Sequence, residues 1–88
     1  MVAYKIYFTP QALKDAKKIN SSKLQYKVKE LLSIIENNPY MFPPPYEILS
    51  GELKGLISRR INKKHRLVYR VYEEKRIIKV LKLWTHYE

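Results

Sequence analysis

The stretch "LISRRINKKHRLVYRVYEEKRIIKVLKLW" at residues 56–84 decides the fold of this chain. It contains three runs rich in β-branched and aromatic residues, and such runs predict strands. The three runs cover residues 56–61, 66–73 and 76–84. The connections at 62–65 and 73–75 are short, so successive strands should pair antiparallel as a meander.

The residues before this stretch predict one more strand and two helices. A β-type run at 2–8 is followed by Thr9 and Pro10, an N-cap and a proline suited to the first helical turn. Apolar residues then recur at helical spacing in two groups: Ala12, Leu13, Ala16 and Ile19, and Leu24, Val28, Leu31, Leu32 and Ile35. The segment 20–22 breaks the first helix and offers a serine cap for the second, which should end before Pro39.

The resulting order of elements is β-α-α-β-β-β. An amphipathic helical hairpin must bury its apolar side, and one face of the sheet is the available partner. We therefore predict an α+β fold, a small antiparallel sheet with a two-helix hairpin packed on one face, in a single domain at 1–88. Arginines, tyrosines and the two histidines can then collect on the opposite face.

Net charge is the most informative feature of the composition. The 88 residues include 18 Lys and Arg against 8 Asp and Glu, which leaves a net charge of +10. Such a chain attracts nucleic acid, an acidic protein or an anionic membrane surface, and charge alone does not choose among them. There is no cysteine, no signal-peptide pattern and no membrane-length apolar run, so we expect a cytoplasmic protein.

The residue types exclude several kinds of chemistry. Two histidines without cysteine or clustered carboxylates predict no metal site, and neither a nucleophile elbow nor a phosphate-binding glycine loop is present. We therefore expect no cofactor. Glu, His, Tyr, Arg and Lys remain, and these suffice to cleave RNA because the ribose 2′-hydroxyl is a nucleophile that the substrate supplies.

Each candidate residue also has a plain interpretation. Taken alone, His86 would be an ordinary exposed side chain and Glu47 a loop carboxylate. The cluster "SRRINKKHR" at 58–66 is equally consistent with a solvated hairpin tip and with an anion-binding surface. Three tyrosines are expected to pack in the core or across strands: Tyr4, Tyr26 and Tyr69.

Two motifs together resemble a known family. "SRRINKKHRLVYRV" at 58–71, followed by "WTHYE" at 84–88, is similar to the Txe/YoeB toxins of bacterial toxin-antitoxin systems, within the RelE superfamily. A Glu-x-Leu element lies upstream at 47–49. The resemblance covers the second half of the chain well and the first half only in its order of elements.

This resemblance implies a ribosome-dependent endonuclease that cleaves mRNA in the ribosomal A site without a metal. By position it implies that Glu47 is the general base, Arg66 stabilises the phosphate, His86 is the general acid and Tyr87 positions the substrate. His65 matches a motif position without a catalytic role and is interpreted as structural. The cations expected to bind RNA or the ribosome are Lys54, Arg59, Arg60, Lys63 and Lys64.

The chain departs from the family pattern at three positions. Ser50 replaces a lysine that often follows the Glu-x-Leu element, Ile57 replaces a tryptophan, and Glu88 follows the His-Tyr pair. A carboxylate beside His86 would favour its protonated form.

The resemblance also implies partners: an acidic antitoxin of the YefM/Axe type, the ribosome with its mRNA, and operator DNA through the antitoxin complex. It leaves a homodimer open, and no membrane partner is expected. Two alternative functions stay open, a ParE-like toxin that acts on DNA gyrase without nuclease activity and a basic nucleic-acid-binding module.

Overall fold

A computed structural model of the chain describes residues 3–51 and 54–85. Within these residues the chain forms two helices and five strands. In chain order they are β1 (Lys5–Phe8), α1 (Pro10–Asn20), α2 (Gln25–Asn37), β2 (Glu47–Ile48), β3 (Ile57–Arg60), β4 (Arg66–Tyr72) and β5 (Ile77–Thr85). None of the helices in this part of the chain is long and apolar enough to cross a membrane.

The five strands form one sheet in the order β1-β5-β4-β3-β2. The strands β3, β4 and β5 pair antiparallel in succession, which confirms the predicted meander. β1 instead pairs parallel with β5, so the sheet is mixed where a wholly antiparallel sheet was expected. In the chain, the helical hairpin lies between β1 and the other strands, so no tight turn joins β1 to β5. Turn geometry therefore does not dictate the relative direction of these two strands.

The start of α1 follows its predicted signal, and the start of α2 does not. The Thr9 hydroxyl accepts a hydrogen bond from the backbone N–H of Ala12 at 3.1 Å, which confirms Thr9 as the N-cap of α1. The expected serine cap of α2 is wrong, because Leu24 occupies the N-cap position. The Ser22 hydroxyl accepts from the Leu24 N–H and donates to the Ile19 carbonyl, so it supports the turn between the helices.

The helical hairpin covers one face of the sheet, as predicted. Its apolar stripe packs on strand residues that include Leu67, Tyr69, Ile78, Val80 and Leu83. Leu13 and Tyr26 were expected to pack but are 55% and 76% exposed. Each residue turns a helix by about 100°, so Leu13, one position after buried Ala12, and Tyr26, two before buried Val28, face away from the sheet.

The opposite face of the sheet is open and cationic. Leu67 and Tyr69 of β4 belong to the core, so the alternating residues Arg66 and Arg70 lie on the other side. The register places Lys79 of β5 opposite Arg70 on that side. We call this side of the sheet the open face.

Candidate functional site

A cleft of about 300 Å³ lies on the open face where β2, β3 and β4 meet. Its lining residues are Pro45, Tyr46, Glu47, Ser58, Arg60 and Arg66. The strand register explains the grouping, because Glu47 pairs with Ser58 and Arg60 pairs with Arg66. Paired residues share a face of a sheet, and so do residues two apart in one strand. The meander therefore brings one carboxylate and two guanidinium groups to one cleft.

Arg66 is anchored through one of its terminal nitrogens. Its Nη1 donates to the carbonyl oxygens of Asn62 at 2.9 Å, His65 at 3.3 Å and Lys63 at 3.5 Å, all in the turn before β4. Within residues 3–51 and 54–85, its Nε and Nη2 make no hydrogen bond. The guanidinium is thus held at one corner while two donor nitrogens, Nε and Nη2, remain available to an oxyanion.

Glu47 and Arg60 are exposed at the cleft. Neither side chain makes a hydrogen bond or an ion pair with another residue in the described part of the chain. A solvent-accessible carboxylate can accept a proton, and a nearby arginine can stabilise negative charge on a phosphoryl group. The cleft therefore contains a potential base and two cations for phosphate chemistry.

Arg59 does not belong to the open face, and its expected role as an RNA-binding residue is wrong. The register places it opposite Leu67, on the helix side of the sheet, and the side chain is 0% exposed. Its guanidinium donates to the Tyr69 hydroxyl and to three backbone carbonyls. In a pair of adjacent arginines on a strand only one can face outward, and here it is Arg60.

The three lysines predicted to bind RNA are all exposed but lie at different ends of β3. Lys63 and Lys64 lie in the turn before β4, close to Arg66, and the Asn62 side chain accepts from the Lys64 N–H at 2.9 Å. Lys54 lies before β3, where its carbonyl accepts from Arg70 at 3.4 Å. The first two therefore extend the cationic surface of the cleft itself, and Lys54 extends it at the far end of the strand.

The proposed acid and positioning residues, His86 and Tyr87, lie outside the described residues. The strand that leads to them, β5, ends at Thr85, which pairs with Arg66. The preceding residue, Trp84, stacks on His65 with ring centroids 4.0 Å apart and an interplanar angle of 20°. This stack supports the interpretation of His65 as a structural residue, because it links the turn before β4 to the end of β5.

Sequence reasoning missed three cations of the open face: Arg70, Lys79 and Lys82. Lys82 pairs with Val68, one strand away from the cleft. The alternation of apolar and basic residues in the second and third strand runs is the signal that could have found them. In the described ranges 3–51 and 54–85, no three His, Cys, Asp or Glu side chains are grouped to hold a metal ion.

Comparison with known proteins places this architecture in a family. Residues 6–88 match the sequence model of the family described as the ParE toxin of the type II toxin-antitoxin system, parDE. A curated relative, the toxin YoeB of Mycobacterium bovis, is 38% identical over 61 residues, which is 69% of each chain.

Solved structures of toxins superpose closely on this chain. The YoeB/ParE toxin from Agrobacterium tumefaciens superposes with a TM-score of 0.87 at 27% identity, covering 94% of this chain and 99% of that chain. The YoeB-YefM complex from Staphylococcus aureus superposes with a TM-score of 0.81 at 37% identity, covering 96% of this chain and 98% of that chain. The chain therefore belongs to the YoeB toxins of type II toxin-antitoxin systems, within the superfamily that contains RelE and ParE.

Proposed function

We propose that this toxin is a ribosome-dependent endonuclease that cleaves mRNA in the ribosomal A site. The observation that carries the proposal is the cleft on the open face, where Glu47, Arg60 and Arg66 line one cavity. An open cleft with one carboxylate among cations suits a polyanionic substrate whose own hydroxyl is the nucleophile.

The proposed reaction needs no metal or cofactor. Glu47 removes the proton of the ribose 2′-hydroxyl, and the oxygen attacks the adjacent phosphorus in line. The bond from phosphorus to the 5′ oxygen breaks, which leaves a cyclic phosphate on one fragment and a 5′-hydroxyl on the other. Arg66 stabilises the charge that develops on the phosphoryl oxygens, and His86 protonates the departing 5′ oxygen. Tyr87 positions the substrate.

The separation of Glu47 and Arg66 agrees with this division of roles. Two strand spacings and a two-residue offset put their Cα atoms roughly 12 Å apart, from about 4.8 Å per strand and 3.3 Å per residue. Both side chains extend from one face, so a phosphodiester fits between a base on one side and a cation on the other. The last described residue of β5, Thr85, pairs with Arg66.

We propose partners on the same basis. A solved relative from S. aureus is a complex of YoeB with YefM, and an acidic antitoxin of that type would cover the open face of this chain. The complex would bind operator DNA through the antitoxin. The S. aureus YoeB dimer makes a homodimer of this chain a reasonable assembly to test by light scattering. A ribosomal substrate places the toxin in the cytoplasm.

Toe-printing of mRNA on purified ribosomes tests the function directly. Wild type should cut within the A-site codon, and Glu47→Gln, Arg66→Gln and His86→Gln should each lower the single-turnover rate about 10²- to 10⁴-fold. The control is Lys29→Gln, an exposed residue of α2 on the other side of the sheet. Unchanged cleavage by all three variants would refute the assigned roles.

A second candidate is a ParE-like toxin acting on DNA gyrase, which the description of the matched family model favours. It predicts inhibition of DNA supercoiling by purified gyrase and no mRNA cleavage. The remaining alternative, a basic nucleic-acid-binding module, predicts affinity that falls steeply with salt and no cleavage of mRNA. The supercoiling and toe-printing assays together separate the three.

A further inference from the structure

A fully buried arginine organises the loop that leads into the cleft. This loop covers residues 38–46, between α2 and β2, and we call it the proline loop because it contains Pro39 and Pro43 to Pro45. Arg59 of β3 extends beneath it and is 0% exposed. A buried guanidinium is stable only when its donors are satisfied.

The donors of Arg59 are satisfied by the proline loop itself. Nη1 donates to the carbonyl oxygen of Pro44 at 2.6 Å, and Nη2 donates to those of Pro39 at 3.1 Å and Met41 at 2.9 Å. Nε donates to the Tyr69 hydroxyl at 2.9 Å, which in turn donates to the Pro39 carbonyl at 2.7 Å. One side chain thus binds three carbonyls spread over six residues of the loop.

The composition of the loop explains why it needs such a partner. Proline has no backbone N–H, so four of the nine residues at 38–46 cannot donate hydrogen bonds to the loop's own carbonyls. Lysine offers one compact cation, whereas the planar guanidinium presents donors in several directions at once. Arg59 therefore supplies donors that the prolines lack.

The loop ends at the cleft. Tyr46 lines it, and its ring centroid lies 4.7 Å from the guanidinium carbon of Arg59. The next residue is Glu47, which belongs to a strand of only two residues, β2. A strand this short forms few hydrogen bonds with its neighbour and is only weakly fixed by them. The backbone of Glu47 is therefore fixed largely by what holds the loop before it.

We propose that Arg59 is a positioning residue for Glu47: by binding the proline loop to the core, it holds the carboxylate at the reacting distance in the cleft. The inference rests on the proposed nuclease function. It gives the two adjacent arginines different roles. Buried Arg59 supports catalysis without contact with RNA, and exposed Arg60 contacts phosphate.

Steady-state cleavage kinetics on ribosomes test the proposal through a split between kcat and KM. Arg59→Met keeps the length and apolar contacts of the side chain and removes its donors. It should lower kcat about 10- to 100-fold, the size expected from misplacing a catalytic group, and leave KM for the ribosome complex unchanged. Arg60→Met is the contrast, because loss of a phosphate contact should raise KM and weaken the salt dependence.

A double-mutant cycle separates positioning from general stability. In a Glu47→Gln background, where there is no base to position, Arg59→Met should cause no further loss of kcat. An equal loss in both backgrounds would overturn the proposal, and so would an increase in KM with kcat unchanged. If Arg59→Met does not fold, Tyr69→Phe keeps the ring and removes two hydrogen bonds of the same network. It should lower kcat several-fold, and only when Glu47 is present.

Hydrogen exchange provides a readout that does not depend on activity. In Tyr69→Phe and Arg59→Met the backbone amides at 46–49 should exchange faster than in wild type, and in Arg60→Met they should not. Unchanged exchange in folded Tyr69→Phe and Arg59→Met would overturn the role of Arg59 in holding the loop. A wild type that holds the loop but cleaves no mRNA would instead refute the proposed function.

Discussion

The carboxylate of Asp15 in α1 accepts a hydrogen bond from the backbone N–H of Leu83 in β5, at 3.0 Å. Leu83 lies in the part of β5 where the pairing with β4 is irregular, between the pairs Val68 with Lys82 and Arg66 with Thr85. An irregularity of this kind leaves a backbone group without a ladder partner. Asp15, itself only 3% exposed, supplies the missing acceptor for this N–H. The hydrogen bond connects α1 to the end of β5 beside the cleft.

Replacing Asp15 with alanine should therefore destabilise the protein. The Leu83 N–H would be left buried without an acceptor, and the free energy of unfolding should fall by about 1–3 kcal/mol. Urea denaturation measures the change. Lys14→Ala, an exposed neighbour on the same helix, is the control and should leave the midpoint within the experimental error. Equal midpoints for the two variants would contradict this role of Asp15.

The stack of His65 on Trp84 should stabilise the end of β5 by about 1 kcal/mol, as aromatic pairs do. His65→Ala should lower the free energy of unfolding by that amount. It should also shift the fluorescence emission of Trp84 to longer wavelength, because the indole becomes more exposed to water. Trp84 is the one tryptophan of the chain, so the signal reports on this site alone. Lys64→Ala in the same turn should change neither quantity. An unshifted spectrum in His65→Ala would argue against the stack.

Glu73 should contribute a pH-dependent part of the stability. Hydrogen bonds from Tyr4 and then Tyr40 are the main causes that hold the pKa of Glu73 below its ordinary value of 4.5. Because the folded state favours the ionised carboxylate, this contribution is present above pH 4.5 and is lost as pH falls through the lower folded pKa. Burial, followed by the hydrogen bond with Glu73, raises the pKa of Tyr40 to about 12.

Glu73→Gln tests this linkage. The variant should be less stable than wild type near neutral pH, and the difference should narrow as the pH is lowered below 4.5. Urea midpoints measured from pH 7 to pH 3 give the comparison. Glu74→Gln, the exposed neighbour in the same turn, is the control. A difference between wild type and Glu73→Gln that stays constant with pH would contradict the lowered pKa.

Lys82 should contribute to the binding of RNA or ribosomes through its charge. It pairs with Val68 on the open face, beside the cleft, and sequence motifs did not identify it. Lys82→Ala should weaken binding at low salt and reduce the slope of log affinity against log salt by about 0.7 to 0.9, the value for one phosphate contact. Lys17→Ala, on the far side in α1, should not change that slope. An unchanged slope in Lys82→Ala would remove it from the binding surface.

Local signals predicted most of the elements. Thr9 caps α1, Pro39 follows the end of α2, and the three strand runs form the meander. These features depend on neighbouring residues and short turns, which a sequence shows directly. β2 has only two residues and shows no period of its own, so it was not predicted. The prediction that Leu13 packs was wrong because the apolar stripe seen in the sequence is wider than the helix surface that contacts the sheet.

The candidate site was predicted in part. Glu47, Arg60 and Arg66 line one cleft, and Lys63 and Lys64 lie in the adjoining turn. The exception is Arg59, which the motif presents as one of two equivalent arginines. Adjacent residues in a strand lie on opposite faces, but the sequence does not show which of two basic side chains faces the core. The roles of the cleft residues stay predictions until cleavage is measured.

The sequence by itself determined the class of fold, the cationic character of the surface and the residue types available for catalysis, because periodicity, capping and charge are local or additive properties. Only the tertiary structure decided which arginine is buried, which edge of the sheet β1 joins and which carboxylate accepts the Leu83 N–H. Each of these depends on residues distant in the chain that compete for one buried position. Packing and the pairing of buried polar groups settle that competition.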